Sequence, residues 1–357
     1  MQIQEDVLLA PYTTFKIGGR AKYFCVVGDE FEALQAFEFA KTRKLQTFVL
    51  GGGSNLLISD SGFNGLVIKV GNKGVEVLSR GNDAVLLKVA SGEIWDEVVS
   101  FAVSNNWWGI ENLSHIPGST GAIAVQNVGA YGQEACNVID SVLAFDTQTH
   151  QIISIKNSDC GFAYRQSIFN SANKGKYIIF DIIFRLSLLP KPTLSYRDLK
   201  EKFASSSPSI LDIRNAIIKI RNKKFSFPTK AKNGNSGSFF KNPILTTRAY
   251  DQLKSVVLEN FNSQAAEALD SKKFEEAGQI KIPAAFLIDL CGLKELEFGG
   301  ASINKNQPLV IINKTGKATS TDVLSLAEKI KKAVYEKTGL TLQYEPELIG
   351  FKNFAKL

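Results

Sequence analysis

The chain has 357 residues, 44% of them apolar and 22% charged, which is the make-up of an ordinary globular protein with room for two or three domains of about 100–200 residues. No apolar run approaches the roughly 20 residues of a membrane span, and the opening Met1-Gln2-Ile3-Gln4-Glu5-Asp6 lacks the basic region and apolar core of a secretory leader, so a cytoplasmic protein is expected. The net charge of +7 favours anionic partners, yet no long Lys/Arg run or RNA-binding aromatic signature is present, which points to small molecules rather than nucleic acid or membrane.

In chain order, a turn at Gly18-Gly19 leads into a short strand, and Asp29 is placed to cap a helix with Phe31, Leu34, Phe37 and Ala40 on its apolar face. A strand at 48–50 then runs into Gly51-Gly52-Gly53-Ser54-Asn55. Three adjacent glycines either make a plain turn or let backbone N–H groups converge as an anion nest, with Ser54 and Asn55 as added side-chain partners. A Rossmann turn would need a helix next. Strand 56–58, a turn at 60–65 and strand 66–70 follow instead, so another nucleotide-binding architecture is indicated.

Two alternating runs between 75 and 90 read as a hairpin across Gly81-Asn82-Asp83, and 93–104 reads as a helix with Ile94, Val98, Phe101 and Ala102 on one face. The stretch 116–132 is a second run of small residues, either a close-packed turn or bare backbone for a large flat ligand. Two such stretches in one α/β region point to a shared dinucleotide site. Strands at 142–146, 152–156 and 177–186 flank Tyr164-Arg165, where the arginine is either a stacked surface residue or one that reaches a cofactor face. Pro190 and Pro192 end the sheet, a turn or helix start surrounds Tyr196, and 212–223 is a basic amphipathic helix. Arg221, Lys223, Lys224, Lys230 and Lys232 make either a solvated loop or a diphosphate site. The segment 234–243 sets Ser238, Lys241 and Asn242 in a loop leading to a strand. Beyond it come helix 247–260, a polar helical stretch at 264–277, helix 283–290, strand 309–313, helix 321–338, strand 340–344 and Glu345-Pro346-Glu347.

Cys25, Cys136, Cys160 and Cys291 are scattered, as expected of reduced, mostly buried thiols with no disulfide or zinc site. With only two histidines, His115 and His150, proton chemistry must come from carboxylates, hydroxyls, lysines or a cofactor, and no metal is expected.

Four blocks in this order resemble the UDP-N-acetylenolpyruvoylglucosamine reductase family. They are Thr13-Thr14-Phe15-Lys16-Ile17-Gly18-Gly19, 51–57, 116–132 with Tyr164-Arg165, and 237–243 paired with Glu345-Pro346-Glu347. The resemblance, in the subgroup with a tyrosine loop, implies an α+β fold. That fold is a two-part FAD-binding region of the vanillyl-alcohol-oxidase type (1–72 and 73–225), an α/β substrate-binding domain (226–340) and a C-terminal segment (341–357). It implies a monomer. It places catalytic roles on Arg165, Ser238 and Glu347, and substrate contacts on Tyr196, Lys224 (or Lys223), Asn242 and Gln307. Flavin contacts fall on Gly51, Gly52, Gly53, Ser54, Asn55, Pro117, Gly118, Ser119, Gly121, Ala122, Gln126, Asn127, Gly129, Ala130 and Tyr164.

The chemistry so implied is reduction of an enolpyruvyl ether, with NADPH reducing FAD and flavin N5 delivering hydride to C3. Negative charge then develops at C2 and on the adjacent carboxylate, where Arg165 offers a planar fork. Ser238 is the expected proton donor to C2. Glu347 helps only if protonated or bonded through another donor, because a bare carboxylate repels the enolate. Neither glycine-rich stretch offers a well-placed histidine, so FAD is expected to be held non-covalently. Two other readings are a flavin-dependent alcohol oxidase on the same fold and a non-catalytic nucleotide- or RNA-binding protein.

Overall fold

The computed structural model describes residues 1–224, 227, 233–276 and 278–351. Lys230, Lys232 and Ala277, named above, lie outside them. The chain divides into two compact units, the first made of 1–7, 20–53 and 63–227, the second of 8–19, 54–62 and 228–357.

The first unit holds two sheets. One has the strand order Gln4–Leu8, Arg20–Val27, Phe63–Val70, Gln46–Leu50, with the last three parallel. Parallel strands need a crossover, and the helix Glu30–Thr42 supplies the one from Arg20–Val27 to Gln46–Leu50, which flank Phe63–Val70. Asp29 caps that helix by accepting from the Glu32 N–H at 2.8 Å, as the sequence predicts. The buried stripe is Ala33, Ala36 and Ala40, however, and Phe31 is 66% exposed. Small residues let the helix lie close on the sheet, while Phe37 stacks at the flank on Phe145 with centroids 6.0 Å apart.

The second sheet is antiparallel, in the order Gln151–Lys156, Ile139–Asp146, Tyr177–Ser187, Ala84–Ala90, Val75–Arg80. The expected hairpin and all three later strands are thus present. The helix Trp95–Ser104 is rotated from its expected face: Trp95, Val98, Val99, Ala102 and Val103 are buried, whereas Ile94 and Phe101 are exposed. Trp95, packed on Phe184 at 5.6 Å, is the large side chain that decides the orientation. The 116–132 stretch is not all loop, since Thr120–Val125 is helical. The 212–223 helix runs over Ile210–Lys224.

The second unit is built on a sheet in the order Asn235–Ser238, Gln307–Asn313, Ala301–Asn304, Glu297–Phe298. The segment 235–238, expected as loop, is therefore a strand, and two short strands were not foreseen. The helix Ser320–Thr338 begins with a Thr319/Asp322 capping box and ends on Gly339 at φ +72°. The 264–277 stretch divides into the helix Ser263–Lys272 and a strand from Phe274. No strand forms at 340–344: Tyr344 makes a lone bridge to Phe240, and Leu342 is buried without a ladder. The last strand, Glu347–Ile349, pairs in parallel with Leu56–Ile58.

The block at 13–19 is explained inside this unit. Thr14 Oγ1 donates to the Asn235 carbonyl at 2.7 Å, and the Gly19 N–H donates to the Ser59 carbonyl at 2.8 Å. A Cβ on Gly19 would lie 2.1 Å from the Asp60 carbonyl oxygen, so only glycine fits there. All four cysteines are free, three of them buried, and burial pushes the Cys25 and Cys160 thiols up to about 12. Among the described residues, no helix is long and apolar enough to cross a membrane.

Candidate functional site

In the first unit the two small-residue stretches meet. Strand Gln46–Leu50 delivers Gly51 and Gly52, and a Cβ on Gly52 would stand 2.5 Å from the Gly118 Cα and 2.6 Å from the Ser119 nitrogen. Side chains at Gly52 are excluded, and what remains is half-buried backbone at Gly51, Gly52, Pro117 and Gly118. Lys69 Nζ donates to the Gly51 carbonyl at 3.1 Å, and burial holds its amine below the ordinary lysine range, helped by Lys73. Gly118 is fixed through its carbonyl by the Trp95 N–H at 3.1 Å, and Gly121 donates to the Ser91 carbonyl at 3.0 Å. Bare backbone beside a cation suits a flat ligand carrying phosphate.

The stretch continues to Asn127, which is buried and fully engaged. Its Nδ2 donates to Glu134 Oε2 at 2.9 Å and to the Ala163 carbonyl at 3.2 Å, and its Oδ1 accepts from the Cys136 N–H at 3.0 Å. Ala163 opens the turn that presents Tyr164 and Arg165, closed by reciprocal bonds between Ala163 and Gln166 at 3.0 and 3.1 Å. Arg165 has φ +55°, and its Nη2 donates to the Gly129 carbonyl at 3.2 Å. Its Cζ lies 5.3 Å from the Tyr164 ring centroid.

Tyr196 and Lys224 come together in the same unit around residues that sequence reasoning missed. Tyr196 meets Tyr131 edge-on at 5.1 Å, and Lys224 Nζ lies 5.7 Å from the Tyr131 ring and 3.8 Å from the Asp198 carboxylate. Burial pushes both phenols up, that of Tyr131 to about 12, and burial pushes the Lys224 amine down although Asp198 opposes it. Tyr131 and Asp198 had one available signal, an aromatic and an acid beside expected site residues.

Ser238 and Glu347 belong to the second unit. Ser238 ends its strand opposite Val310, just after Gly237 at φ +76°. From there the 239–241 backbone pairs with 343–345: Glu345 N–H donates to the Phe239 carbonyl at 3.0 Å and Lys241 N–H to the Gln343 carbonyl at 2.9 Å. Phe239 and Phe240 lock this pairing against the Tyr344 ring, at 5.5 and 5.8 Å. Two residues on, the Glu347 N–H donates to the Asn55 carbonyl at 3.0 Å, and Asn55 Nδ2 donates to the Glu345 carbonyl at 3.1 Å. The serine motif, the glutamate motif and Asn55 are therefore knitted into one backbone arrangement. Asn242 turns its Oδ1 to the Ala284 N–H at 2.9 Å, at the start of helix Ala284–Leu290. Gln307 starts the strand that pairs with Ser238, and its N–H donates to Asn304 Oδ1 at 3.0 Å. Arg165, Ser238, Glu347, Tyr196, Lys224, Asn242 and Gln307 are all half-buried.

Comparison with known proteins gives a consistent result. Residues 228–349 match the family model described as UDP-N-acetylenolpyruvoylglucosamine reductase, C-terminal domain, and residues 21–151 match an FAD binding domain. The UDP-N-acetylenolpyruvoylglucosamine reductase of Flavobacterium johnsoniae is 36% identical over 355 residues, covering 98% of this chain and 100% of its own. That of Neisseria meningitidis serogroup B is 38% identical over 346 residues, covering 95% of each. The crystal structure of the corresponding reductase from Thermus caldophilus matches with a TM-score of 0.68 at 23% identity, over 98% of this chain and 99% of that one, and so shares the fold. That fold is α+β and includes an FAD binding domain. The chain belongs to the UDP-N-acetylenolpyruvoylglucosamine reductase family, and is an FAD-dependent oxidoreductase of peptidoglycan and cell-wall synthesis.

Proposed function

We propose that the protein, a cytoplasmic monomer, uses NADPH and non-covalently held FAD to reduce the enolpyruvyl group of UDP-N-acetylglucosamine-enolpyruvate, giving UDP-N-acetylmuramate. The observation that carries this reading is agreement with named reductases over 95% or more of the chain. Non-covalent binding is supported by the histidines: His115 Nε2 is engaged with Asn222 Oδ1 at 2.9 Å, and the His150 ring stacks on Phe145 at 6.2 Å.

When bound, FAD would supply two-electron hydride chemistry between NADPH and the enolpyruvyl group. Holding it would fall to the backbone of 51–53 and of 117–130 and to Ser54, Asn55 and Tyr164. Arg165 grips the substrate carboxylate and stabilises the charge that grows there and at C2. Ser238 gives its hydroxyl proton to C2. Glu347 acts in its protonated form or through a bridging donor. Tyr196, Lys224, Asn242 and Gln307 bind the UDP-sugar, and a desolvated lysine beside a diphosphate gains more from the pairing than one in water.

An anaerobic two-step titration tests this. The purified protein should be yellow, NADPH should bleach it, and UDP-N-acetylglucosamine-enolpyruvate should restore the colour. Ser238→Ala should spare the bleaching and block the recovery. Flavin left oxidised by NADPH sinks the reductase reading, and near wild-type recovery in Ser238→Ala removes the serine from its role.

A further inference from the structure

Beneath Tyr131 and Tyr196 lies a buried polar network that the proposed chemistry does not use. The short turn Glu111–Leu113 has no exposed residue. Glu111 Oε2 accepts from the Gly109 N–H at 2.7 Å and its Oε1 from Gln133 Nε2 at 2.8 Å, while Gln133 Oε1 accepts from the Asn112 N–H at 3.0 Å. That leaves the Asn112 side chain aimed at two other segments. Its Nδ2 donates to the Tyr131 carbonyl at 2.7 Å and to the Thr193 carbonyl at 2.8 Å, which uses both amide hydrogens. Its Oδ1 has no partner among the described residues, so the amide is held by what its nitrogen does.

The two carbonyls belong to segments that also touch directly. Gly132, at φ +85°, runs so close to the other segment that a Cβ there would lie 3.0 Å from Ser195 Oγ and 3.2 Å from Thr193 Cγ2. Tyr131 and Tyr196, the residues flanking this seam, meet edge-on at 5.1 Å. One amide thus ties a turn and a strap whose chemical output is the placement of Tyr196.

We infer that Asn112 is a positioning residue for substrate binding: its side-chain amide latches the Tyr131 turn to the 193–196 segment and sets where the Tyr196 hydroxyl stands. This rests on the reading of Tyr196 as a substrate contact. Asn112→Ala leaves the buried Tyr131 carbonyl and the half-buried Thr193 carbonyl without this donor, so the strap loses its fixed position.

The test is a double-mutant cycle on the holoenzyme with Asn112→Ala and Tyr196→Phe, read as the substrate concentration that half-saturates anaerobic reoxidation of the reduced flavin. Each single variant should raise that concentration about tenfold, with flavin content and the rate of bleaching by NADPH within about twofold of wild type, and the double variant should be little worse than either. Additive losses overturn the latch and leave Tyr196 as a contact. No loss in Tyr196→Phe overturns the contact and the latch together. Should Asn112→Ala fail to fold, Gly132→Ala replaces it in the cycle, since Gly132 is exposed and its added methyl pushes directly on Ser195. The same non-additivity with Tyr196→Phe is expected, and additivity overturns the proposal.

Discussion

Arg165 stands in the left-handed region at φ +55°, where a residue with a Cβ costs about 1–2 kcal/mol relative to its ordinary conformations. The reciprocal Ala163–Gln166 bonds and the Asn170 amide on the Arg165 carbonyl hold it there. Glycine would be the unstrained choice at such a turn position, so the arginine side chain itself is what the position keeps. Its residue type and neighbours were legible in the sequence; its backbone state was not, because nothing local distinguishes it from a stacked surface arginine. If the planar fork is what matters, Arg165→Lys keeps the charge and loses the paired geometry. Reoxidation of the reduced flavin by UDP-N-acetylglucosamine-enolpyruvate should then slow by about a hundredfold, with bleaching by NADPH little changed. Stopped-flow absorbance separates the two, and a loss of only a few-fold argues against a bidentate grip.

Helices were legible in extent and less so in the face they bury. Periodicity placed 30–42 and 95–104 within a residue or two, but in the first close approach to a sheet buries alanines where large apolar residues were expected, and in the second Trp95 takes the inward face while Ile94 and Phe101 turn out. The segment 340–344 shows the converse, an alternating pattern satisfied by burial of Leu342 without a sheet neighbour. Contacts between elements were invisible, and the pairing of Asp96 on Trp95–Ser104 with Arg214 on Ile210–Lys224 is the chief case. Arg214 Nη1 and Nη2 donate to the two Asp96 carboxylate oxygens at 2.7 and 3.1 Å, with Arg214 9% exposed. Burial alone would push the Asp96 carboxyl up; Arg214, with the His115 N–H, outweighs it and holds the group below its ordinary value. That contribution is present above about pH 4 and is lost as pH falls through the depressed value. Arg214→Ala leaves the half-buried carboxylate with the His115 N–H but no cation in its place, which should cost about 3 kcal/mol at neutral pH in urea unfolding. In the variant the carboxyl titrates at higher pH, so the gap from wild type should narrow on acidification toward about pH 4. A gap independent of pH would mean that lost packing, and not the ion pair, is responsible.

On the scale of the molecule, composition and order of motifs were enough to recognise the family, and the path of the chain was not. Segments 8–19 and 54–62 join 228–357, through contacts such as the one between Thr14 and Asn235, which are 221 positions apart. Pairings that distant leave no mark on local periodicity. The first unit, by contrast, contains all of the 21–151 match to an FAD binding domain except 54–62, with Gly52 and Gly118 touching inside it. Its stability should therefore depend on its cofactor. A ligand that binds only the folded state adds about 2.7 kcal/mol at a hundredfold excess over its dissociation constant. For a unit of this size that corresponds to about 5–10 °C in Tm. Stripping FAD should lower the thermal transition by that amount, and adding FAD back should restore it. Riboflavin lacks the pyrophosphate that Gly51 to Gly53 and Gly118 are proposed to hold, so it should recover only a small part of the shift. Full recovery with riboflavin would show that the isoalloxazine ring carries the binding energy, and the bare backbone where the two stretches meet would then need another explanation.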